Sequence, residues 1–149
     1  MAKEKTIIED SIKFQIKSVD LLGSNLQLPG TSLPVNPNFS FSITVEQKLD
    51  FNKRSLIVII NVDISTAENL DFKLGSASVG CLFSIENFDE VVKMDKNKQA
   101  NIPKGVIDLL NSIAISTTRG VLSQVFKGTF LHHAILPIID PKSLKMETA

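Results

Sequence analysis

Apolar and polar residues alternate along several stretches of the chain, and a period of two is typical of β-strands buried on one face. Residues 12–21 show this pattern first, with a bend or bulge expected at Gly23. Residues 39–46 alternate cleanly, and residues 56–64 begin almost wholly apolar, as in a central strand covered on both faces. Because the turn-forming residues 52–55 lie between them, these two strands are predicted to form a hairpin.

A fourth strand is predicted at residues 72–85, where the apolar positions change register at Gly75 and indicate a bulge. Residues 27–38 contain three prolines, which exclude a regular strand or helix. Two charged segments, residues 1–9 and 86–100, show no regular spacing of apolar residues. We expect residues 1–9 to form a flexible tail and residues 86–100 to form a linker between the sheet and the last third of the chain.

A long helix is predicted over residues 101–128, with Asn101 capping its start and Gly128 ending it in the left-handed conformation. Its apolar residues are spaced by three, four and seven positions, which places them along one stripe. The stripe consists of Val106, Leu110, Ile113, Ala114, Val121 and Val125.

Further apolar residues lie off this stripe, so the helix is apolar on more than one side and is expected to be buried on more than one side. Either the helix is enclosed within its own chain, or part of it contacts another subunit; we favour the second alternative. The residues off the stripe are Ile107, Leu109, Ile115 and Leu122. The predicted oligomer interface consists of Leu110, Ile113, Ala114, Thr117 and Val121.

Four strands followed by one helix predict an α+β fold, in which an antiparallel sheet is packed against the long helix. With 149 residues, 43% of them hydrophobic, the chain is expected to form a single domain, residues 1–149, with a real core. The 16 basic and 16 acidic residues cancel, which argues against nucleic acid as a partner. The sequence contains neither a signal peptide nor an apolar run long enough to span a bilayer, and we expect a cytoplasmic protein.

The residues that carry chemistry are few. No phosphate-binding, dinucleotide, zinc or nucleophile-elbow motif is present, so no catalytic residue, cofactor or metal site is predicted and an enzyme is not expected. His132 and His133 are the only histidines, and on a strand they would point to opposite faces. Cys81 lies in an apolar alternation, which indicates a buried small hydrophobic residue.

The apolar surface exceeds what one sheet and one helix need. Residues 26–35 are apolar but broken by proline, and we expect them to fold over the sheet and leave a channel for another polypeptide. The predicted walls of this channel are Leu28, Leu33, Phe39, Phe41, Phe83, Leu122 and Phe126. Two simpler alternatives are that the segment only covers its own core, or that the excess surface is entirely an interface between subunits.

The sequence also resembles the SecB family of protein-export chaperones, in the right order along nearly the whole chain. Residues 14–16, FQI, resemble the first strand of that family, and residues 82–85, LFSI, resemble the end of its last strand. The most specific likeness is residues 116–130, STTRGVLSQVFKGTF, which resemble the long helix and its exit. Residues 134–137 follow at the position of the family's L-A-P.

This resemblance implies a four-stranded antiparallel sheet crossed by a long helix, and a tetramer built as a dimer of dimers with the helices between two sheets. It also implies a chaperone that holds unfolded or precursor polypeptides in apolar grooves without ATP, as part of protein transport. Some relatives instead protect the antitoxin of a toxin–antitoxin pair. A small-ligand-binding oligomer remains the alternative outside the family.

The sequence departs from the family in the residues that bind the export motor. The family's acidic docking residues correspond to Gly23, Gln27 and Ser76, none of which is acidic. The chain is neutral where the family is strongly acidic. The second helix corresponds only to residues 141–149, and no metal-binding tail is expected. Docking to an export motor is therefore doubtful, and client holding is the better-supported expectation.

Overall fold

The computed structural model describes residues 13–30, Leu33, 37–140 and 146–148. The tail predicted at residues 1–9 lies outside the described residues. The strands are β1 (Phe14–Leu26), β2 (Phe39–Asp50), β3 (Ser55–Thr66), β4 (Gly75–Ile85), β5 (Lys93–Met94), β6 (Ala100–Asn101) and β7 (Met146–Thr148), and the helices are α1 (Phe88–Val91) and α2 (Lys104–Val125). The predicted α+β fold, with a four-stranded antiparallel sheet and one long helix, is confirmed.

The main sheet has the order β1-β4-β3-β2-β7. β2 and β3 form the predicted hairpin, which is paired without a break from Phe39 opposite Thr66 to Asp50 opposite Ser55. β4 returns antiparallel along β3, and β1 pairs antiparallel with the other side of β4. The proline-containing connection from β1 to β2 therefore leads from one side of the sheet to the other.

Gly75 is the first residue of β4 and pairs with Ile64 in an unbroken register, so the bulge predicted there is wrong. The glycine is required by a close approach instead, because a Cβ atom on Gly75 would lie 2.5 Å from Leu131 Cδ1 and 3.2 Å from the Asn25 carbonyl oxygen. The register shifts occur in β1, and one of them falls between Leu21 and Gly23, where a bend or bulge was predicted.

The core lies between the sheet and α2, which packs mainly against β3 and β4. Residues directly opposite each other across an antiparallel pair lie on the same face, so the register identifies the face that α2 covers. Leu56, Ile60 and Phe83 on this face have 0% of their surface exposed, as do Leu110 and Ala114 of α2. The alternating pattern of β3 and β4 is thus explained by one face covered by a helix.

The helix is shorter than the predicted segment 101–128. Pro103 occupies the N-cap position without a side-chain hydrogen bond, and Asn101, which was expected to cap the helix, belongs to β6. Thr118, a poor helix former, is accommodated because its Oγ1 donates to the Ala114 carbonyl at 2.7 Å. Gly128 has the expected positive φ of 81°, in the turn that follows the helix.

Residues 129–139, which we call the strap, follow α2 and run back along it. Arg119 donates from Nε to the Leu136 carbonyl at 2.7 Å and from Nη2 to the Pro137 carbonyl at 2.9 Å, about two helical turns before the end of α2. Leu131 and Leu136 of the strap are each 1% exposed. The chain itself therefore covers one flank of the helix, and Ile115 on α2 is 2% exposed.

Residues 86–100, expected as a linker, contain secondary structure. The short helix α1 lies in this segment, and the ring of its first residue, Phe88, packs edge-on against Phe51 with 5.6 Å between centroids. β5 and β6 then form a two-stranded ribbon that leads into α2. Residues 146–148 lie in the segment where the resemblance predicted part of a second helix, but they form β7, and this strand pairs in parallel with residues 45–47 of β2. Within the described parts of the chain, no helix is both long and apolar enough to cross a bilayer.

Candidate functional site

The most exposed apolar row of the main sheet lies along β1, on the face that α2 covers elsewhere. Ile16, Val19 and Leu21 are 42%, 40% and 45% exposed. They pair with residues 83, 81 and 79 of β4, all of which are fully buried. The difference arises because α2 packs over β3 and β4, whereas β1 lies beyond β4 at the edge of the sheet.

One flank of α2 is also apolar and partly open. Asn111 contacts Gln47 of β2, which fixes the direction of one flank. An α-helix turns about 100° per residue, so Ile113 lies about 200° from Asn111, on the side of the helix away from Gln47. Thr117 follows one turn later, and both residues are half-buried. Leu109, one turn before Ile113, is 41% exposed.

We refer to these two open apolar rows together as the β1 surface. It consists of Ile16, Val19, Leu21, Leu109, Ile113 and Thr117. The β1 surface contains no titratable group. Its chemistry is apolar contact, and the outer edge of β1 adds backbone groups that no strand of the described chain pairs with.

The predicted client-binding residues differ in their exposure. Phe83, Leu122 and Phe126 are at most 3% exposed and fill the core of the chain itself. Leu33, Phe39 and Phe41 are half-buried and pack against that core, whereas Leu28 is 77% exposed. Any use of the three buried side chains would require the core to open. The prediction of client binding is therefore kept for the other four residues, and Leu28 is the most exposed of these.

The exposed row on β1 was not predicted from the sequence. The alternating residues 12–21 were recognised as a strand, but the same alternation in β4 belongs to buried residues. The two strands differ in their position in the sheet, because β1 is at the edge and β4 is inside it. The local sequence pattern does not encode this position. Lys17, which lies between Ile16 and Ser18 at a register shift, is the one local hint of an irregular edge strand.

The predicted oligomer interface divides into two groups. Leu110 and Ala114 are fully buried against the chain's own sheet. Ile113, Thr117 and Val121 are half-buried and lie at the border of the covered face. The second group can contact another subunit without rearrangement of the core, so the proposed interface is narrowed to these three residues and the outer backbone edge of β1.

The three positions that the resemblance predicted to correspond to docking acids lie close together. Gly23 pairs with Ser78, and Ser76 pairs with both Asn25 and Asp63, so Gly23 and Ser76 are on the sheet face away from α2. Gln27 follows at the end of β1, where its backbone N–H donates to the Leu74 carbonyl at 2.9 Å. The acid nearest in register, Asp63, is paired with Lys73 at 3.3 Å.

The other candidate groups do not form a reactive centre. His132 and His133 lie in a turn rather than on a strand, so their predicted divergence is wrong, and their rings pack edge-on with 4.7 Å between centroids. No group of three potential metal ligands occurs within residues 13–30, 37–140 and the other described positions. Cys81 is fully buried, as predicted, and burial raises the pKa of its thiol.

A cavity of about 690 Å³ lies at the end of the sheet, between the start of β1 and the turn after β2. Charged and polar groups contribute much of its wall, and Arg54 at its rim is paired with Asp89 at 2.8 Å. The lining residues are Lys13, Phe14, Gln15, Lys53, Arg54, Ser84, Ile85 and Glu86. This cavity lies at the start of β1, away from the middle of the β1 surface, and its polar wall does not suit an apolar ligand.

Comparison with known proteins identifies the fold. No protein-family model matches the sequence, and no characterised protein is similar to it in sequence. Among solved structures, the chain is similar to the Mycobacterium tuberculosis SecB-like chaperone Rv1957, in complex with a ChAD peptide from the Rv1956 HigA1 antitoxin. The TM-score is 0.55 at 12% sequence identity, over 93% of this chain and 91% of that chain. The likeness is therefore one of fold.

Proposed function

We propose that this protein is a chaperone that holds extended, unfolded polypeptide on apolar surface without ATP. The observation that supports the proposal most directly is the β1 surface, an open apolar area at the edge of the sheet. Its apolar row suits an extended chain, whose own alternate side chains project to one face. Such a role needs no catalytic residue and no cofactor, and the cytoplasm is the compartment where we expect it.

The expected affinity is moderate. Burial of apolar area contributes about 25 cal/mol for each Å² removed from water, less the cost of ordering the client. The β1 surface offers apolar contact but few polar groups that could select one sequence. We therefore propose binding in the micromolar range with tolerance of sequence, as a holding chaperone for many clients would need.

The same surface supports a proposal of self-assembly. Residues 113, 117 and 121 of α2 and the outer edge of β1 can be covered by a second copy, and we propose a dimer that pairs further into a tetramer. Large exposed apolar patches usually mark an interaction site. In that arrangement one part of the apolar surface contacts the second subunit, and the rest is left to hold the client.

A dedicated role is the second candidate. The structural neighbour is a SecB-like chaperone in complex with a peptide of an antitoxin. This observation favours a chaperone reserved for one antitoxin, and an encoded toxin–antitoxin pair beside the gene would support it. A role in protein export is less favoured, because positions 23, 27 and 76 are not acidic.

The test is the suppression of aggregation of an unfolded, signal-bearing precursor, with the folded precursor as the negative control. We expect the wild-type protein to delay aggregation of the unfolded form alone. Leu21→Lys should reduce this activity, because a charge on the β1 surface opposes burial of the client. The matched control is Leu70→Lys, since Leu70 is also exposed, at 65%, but lies in the loop between β3 and β4. Equal loss in both variants, or no holding by the wild type, would contradict the proposal.

A second comparison addresses the predicted channel. Leu33 packs partly against the core, so Leu33→Asp is expected to lower stability, whereas Leu28→Asp changes a side chain that is 77% exposed. If residues near Leu28 form a wall of the client site, Leu28→Asp reduces holding while the melting temperature stays within a degree or two of wild type. If Leu28→Asp holds client as well as wild type does, Leu28 is not part of the client site, and the β1 surface is then the proposed site by itself.

A further inference from the structure

The cavity at the end of the main sheet, which we call the basic pocket, has a wall with excess positive charge. It has a volume of about 690 Å³ and is bordered by the start of β1, the turn after β2 and the end of β4. Among the described residues that line it, Lys13, Lys53 and Arg54 are basic and Glu86 is acidic. The positive charge is therefore local, because the 16 basic and 16 acidic residues of the whole chain cancel.

Backbone hydrogen bonds hold two of the basic residues on the two sides of β4. The Ile85 N–H donates to the Arg54 carbonyl at 3.1 Å. The next N–H, that of Glu86, donates to the Lys13 carbonyl at 2.8 Å. Lys53 directly precedes Arg54 in the turn between β2 and β3. The main chain that carries the cations is thus fixed by the sheet, so a ligand would not have to order it on binding.

Polar side chains lie beside these cations on one face of the sheet. Ser84 pairs with Gln15 on one side and with Ser55 on the other, so the three side chains share a face. Gln15 and Ser84 line the basic pocket. Ser55 follows Arg54 and is 4% exposed, and its Oγ has no hydrogen-bond partner within the described chain. A buried hydroxyl without a partner is rare in folded proteins, so this group is a candidate donor to a bound acceptor.

We propose that the basic pocket binds a small anion that carries a phosphate group. Lys13 and Lys53 supply positive charge, and the planar guanidinium of Arg54 can donate two parallel hydrogen bonds to phosphate oxygens. Ser84 adds a hydroxyl donor at the wall. The volume lies within the range of about 300–1,000 Å³ that is typical of small-molecule pockets. This inference goes beyond the proposed function and does not depend on it.

Two acidic residues limit the affinity. Glu86 lies in the wall and opposes the approach of an anion. Asp89 is paired with Arg54 at 2.8 Å, but the two side chains are 76% and 58% exposed. An ion pair that is so exposed is weak, so a phosphate group can replace the Asp89 carboxylate on the guanidinium. We therefore expect a dissociation constant in the micromolar to millimolar range.

The first test is isothermal titration calorimetry of the full chain with inorganic phosphate and with glycerol phosphate. Glycerol, and sodium chloride at equal ionic strength, are the negative controls. We expect both phosphates to bind at one site per chain and to raise the melting temperature as their concentration rises. Tighter binding of glycerol phosphate identifies an ester of a small molecule as the ligand, and equal or weaker binding identifies free phosphate. No binding, or a response that sodium chloride matches, would overturn the proposal.

The second test removes charges of opposite sign from the wall. Lys53→Gln should weaken phosphate binding about threefold to tenfold, because a partly screened charge contact with the ligand is lost. Glu86→Gln should strengthen binding, because a negative charge beside the ligand is removed. Lys127→Gln is the matched control and should bind phosphate as wild type does. Lys127 follows Phe126, which lies beside Gly75 at the other end of β4.

Opposite effects of the first two substitutions distinguish an electrostatic site from a loss of structure, since destabilisation alone does not strengthen binding. If Lys53→Gln and Lys127→Gln weaken binding equally, phosphate associates with surface lysines in general and the inference is wrong. It is also wrong if Lys53→Gln and Glu86→Gln both bind phosphate as wild type does. The aggregation test of the proposed function is carried out in phosphate-free buffer, so its result stands whichever way the calorimetry turns out.

Discussion

Gln47 donates a hydrogen bond from Nε2 to Oδ1 of Asn111 across 2.8 Å, joining β2 to the helix α2 at the border of an otherwise apolar interface. Asn111 is fully buried. A buried polar side chain is stable only where a partner meets it, so this contact restricts how α2 can rotate or slide on the sheet. It also directs one flank of the helix towards β2, which leaves Ile113 on the side away from that contact.

Asn111→Ala should lower the free energy of unfolding by about 1–3 kcal/mol, because the Gln47 amide loses its partner in a partly buried position. Gln47→Ala should have a smaller effect, and the double variant should cost less than the sum of the two, as for residues in contact. Urea unfolding measures all three, with Ser112→Ala at a neighbouring exposed position as the control. Strict additivity would show that the two side chains do not interact.

Gly75→Ala should destabilise the protein by about 1–3 kcal/mol, because the added methyl group overlaps Leu131 and approaches a backbone oxygen. Gly120→Ala is the matched control. A Cβ on Gly120 meets no atom within 4 Å, and the residue lies inside α2, so alanine should stabilise by about 0.5–1 kcal/mol. Thermal unfolding measures both variants. If Gly75→Ala and Gly120→Ala shifted the melting temperature in the same direction, the close approach at Gly75 would not explain the need for glycine there.

Ile113→Asp should dissociate the proposed oligomer, since a charge on the half-buried flank of α2 opposes contact with a second subunit. Light scattering should show wild type as a tetramer, or at least a dimer, and the variant as a smaller species with intact circular dichroism. Ser112→Asp is the control, because Ser112 is exposed on a different side of the helix. Ala114→Arg is expected to unfold the chain, since Ala114 is fully buried against the sheet. A well-folded wild-type monomer at micromolar concentration would contradict the assembly.

Cys81 should make stability decline at alkaline pH. Burial raises the pKa of its thiol in the folded state, so the unfolded chain loses this proton first. Stability associated with the thiol is therefore present below the unfolded pKa of about 8.5 and is lost as pH rises from there through the folded pKa. Urea unfolding at neutral pH and at a pH above the unfolded value should show a larger loss for wild type than for Cys81→Ala. Equal losses would show that the thiol is not responsible.

Binding to the cognate export motor should be weak, because Gly23, Gln27 and Ser76 supply no negative charge on the sheet surface. Gly23→Asp with Gln27→Glu and Ser76→Glu should gain binding that weakens as salt rises. The space around Gly23 is open, so the substitution there is tolerated. Isothermal titration calorimetry of both proteins tests this prediction. Tight, salt-sensitive binding by the wild type would show that these three positions do not govern docking.

The local sequence pattern determined the elements of this fold. The alternation of β2 and β3 and the turn between them were sufficient for the hairpin, because side-chain direction along a strand depends only on neighbouring residues. The three-and-four spacing determined the long helix in the same way, although its start was misplaced. At Asn101 a plausible cap was available, but the residue pairs in β6 instead, a contact that no local pattern encodes.

The tertiary structure alone decided which apolar residues face solvent. Ile16 and Phe83 are paired across β1 and β4, and both come from alternating strands, yet Ile16 is 42% exposed and Phe83 is fully buried. The same distinction separates the buried Leu122 and Phe126 from Leu28 among the predicted client residues. Exposure depends on strand order and on where α2 and the strap lie, which are relations between residues far apart in the chain. A periodic pattern indicates that a face is apolar, and only the packing of distant elements determines whether that face is covered.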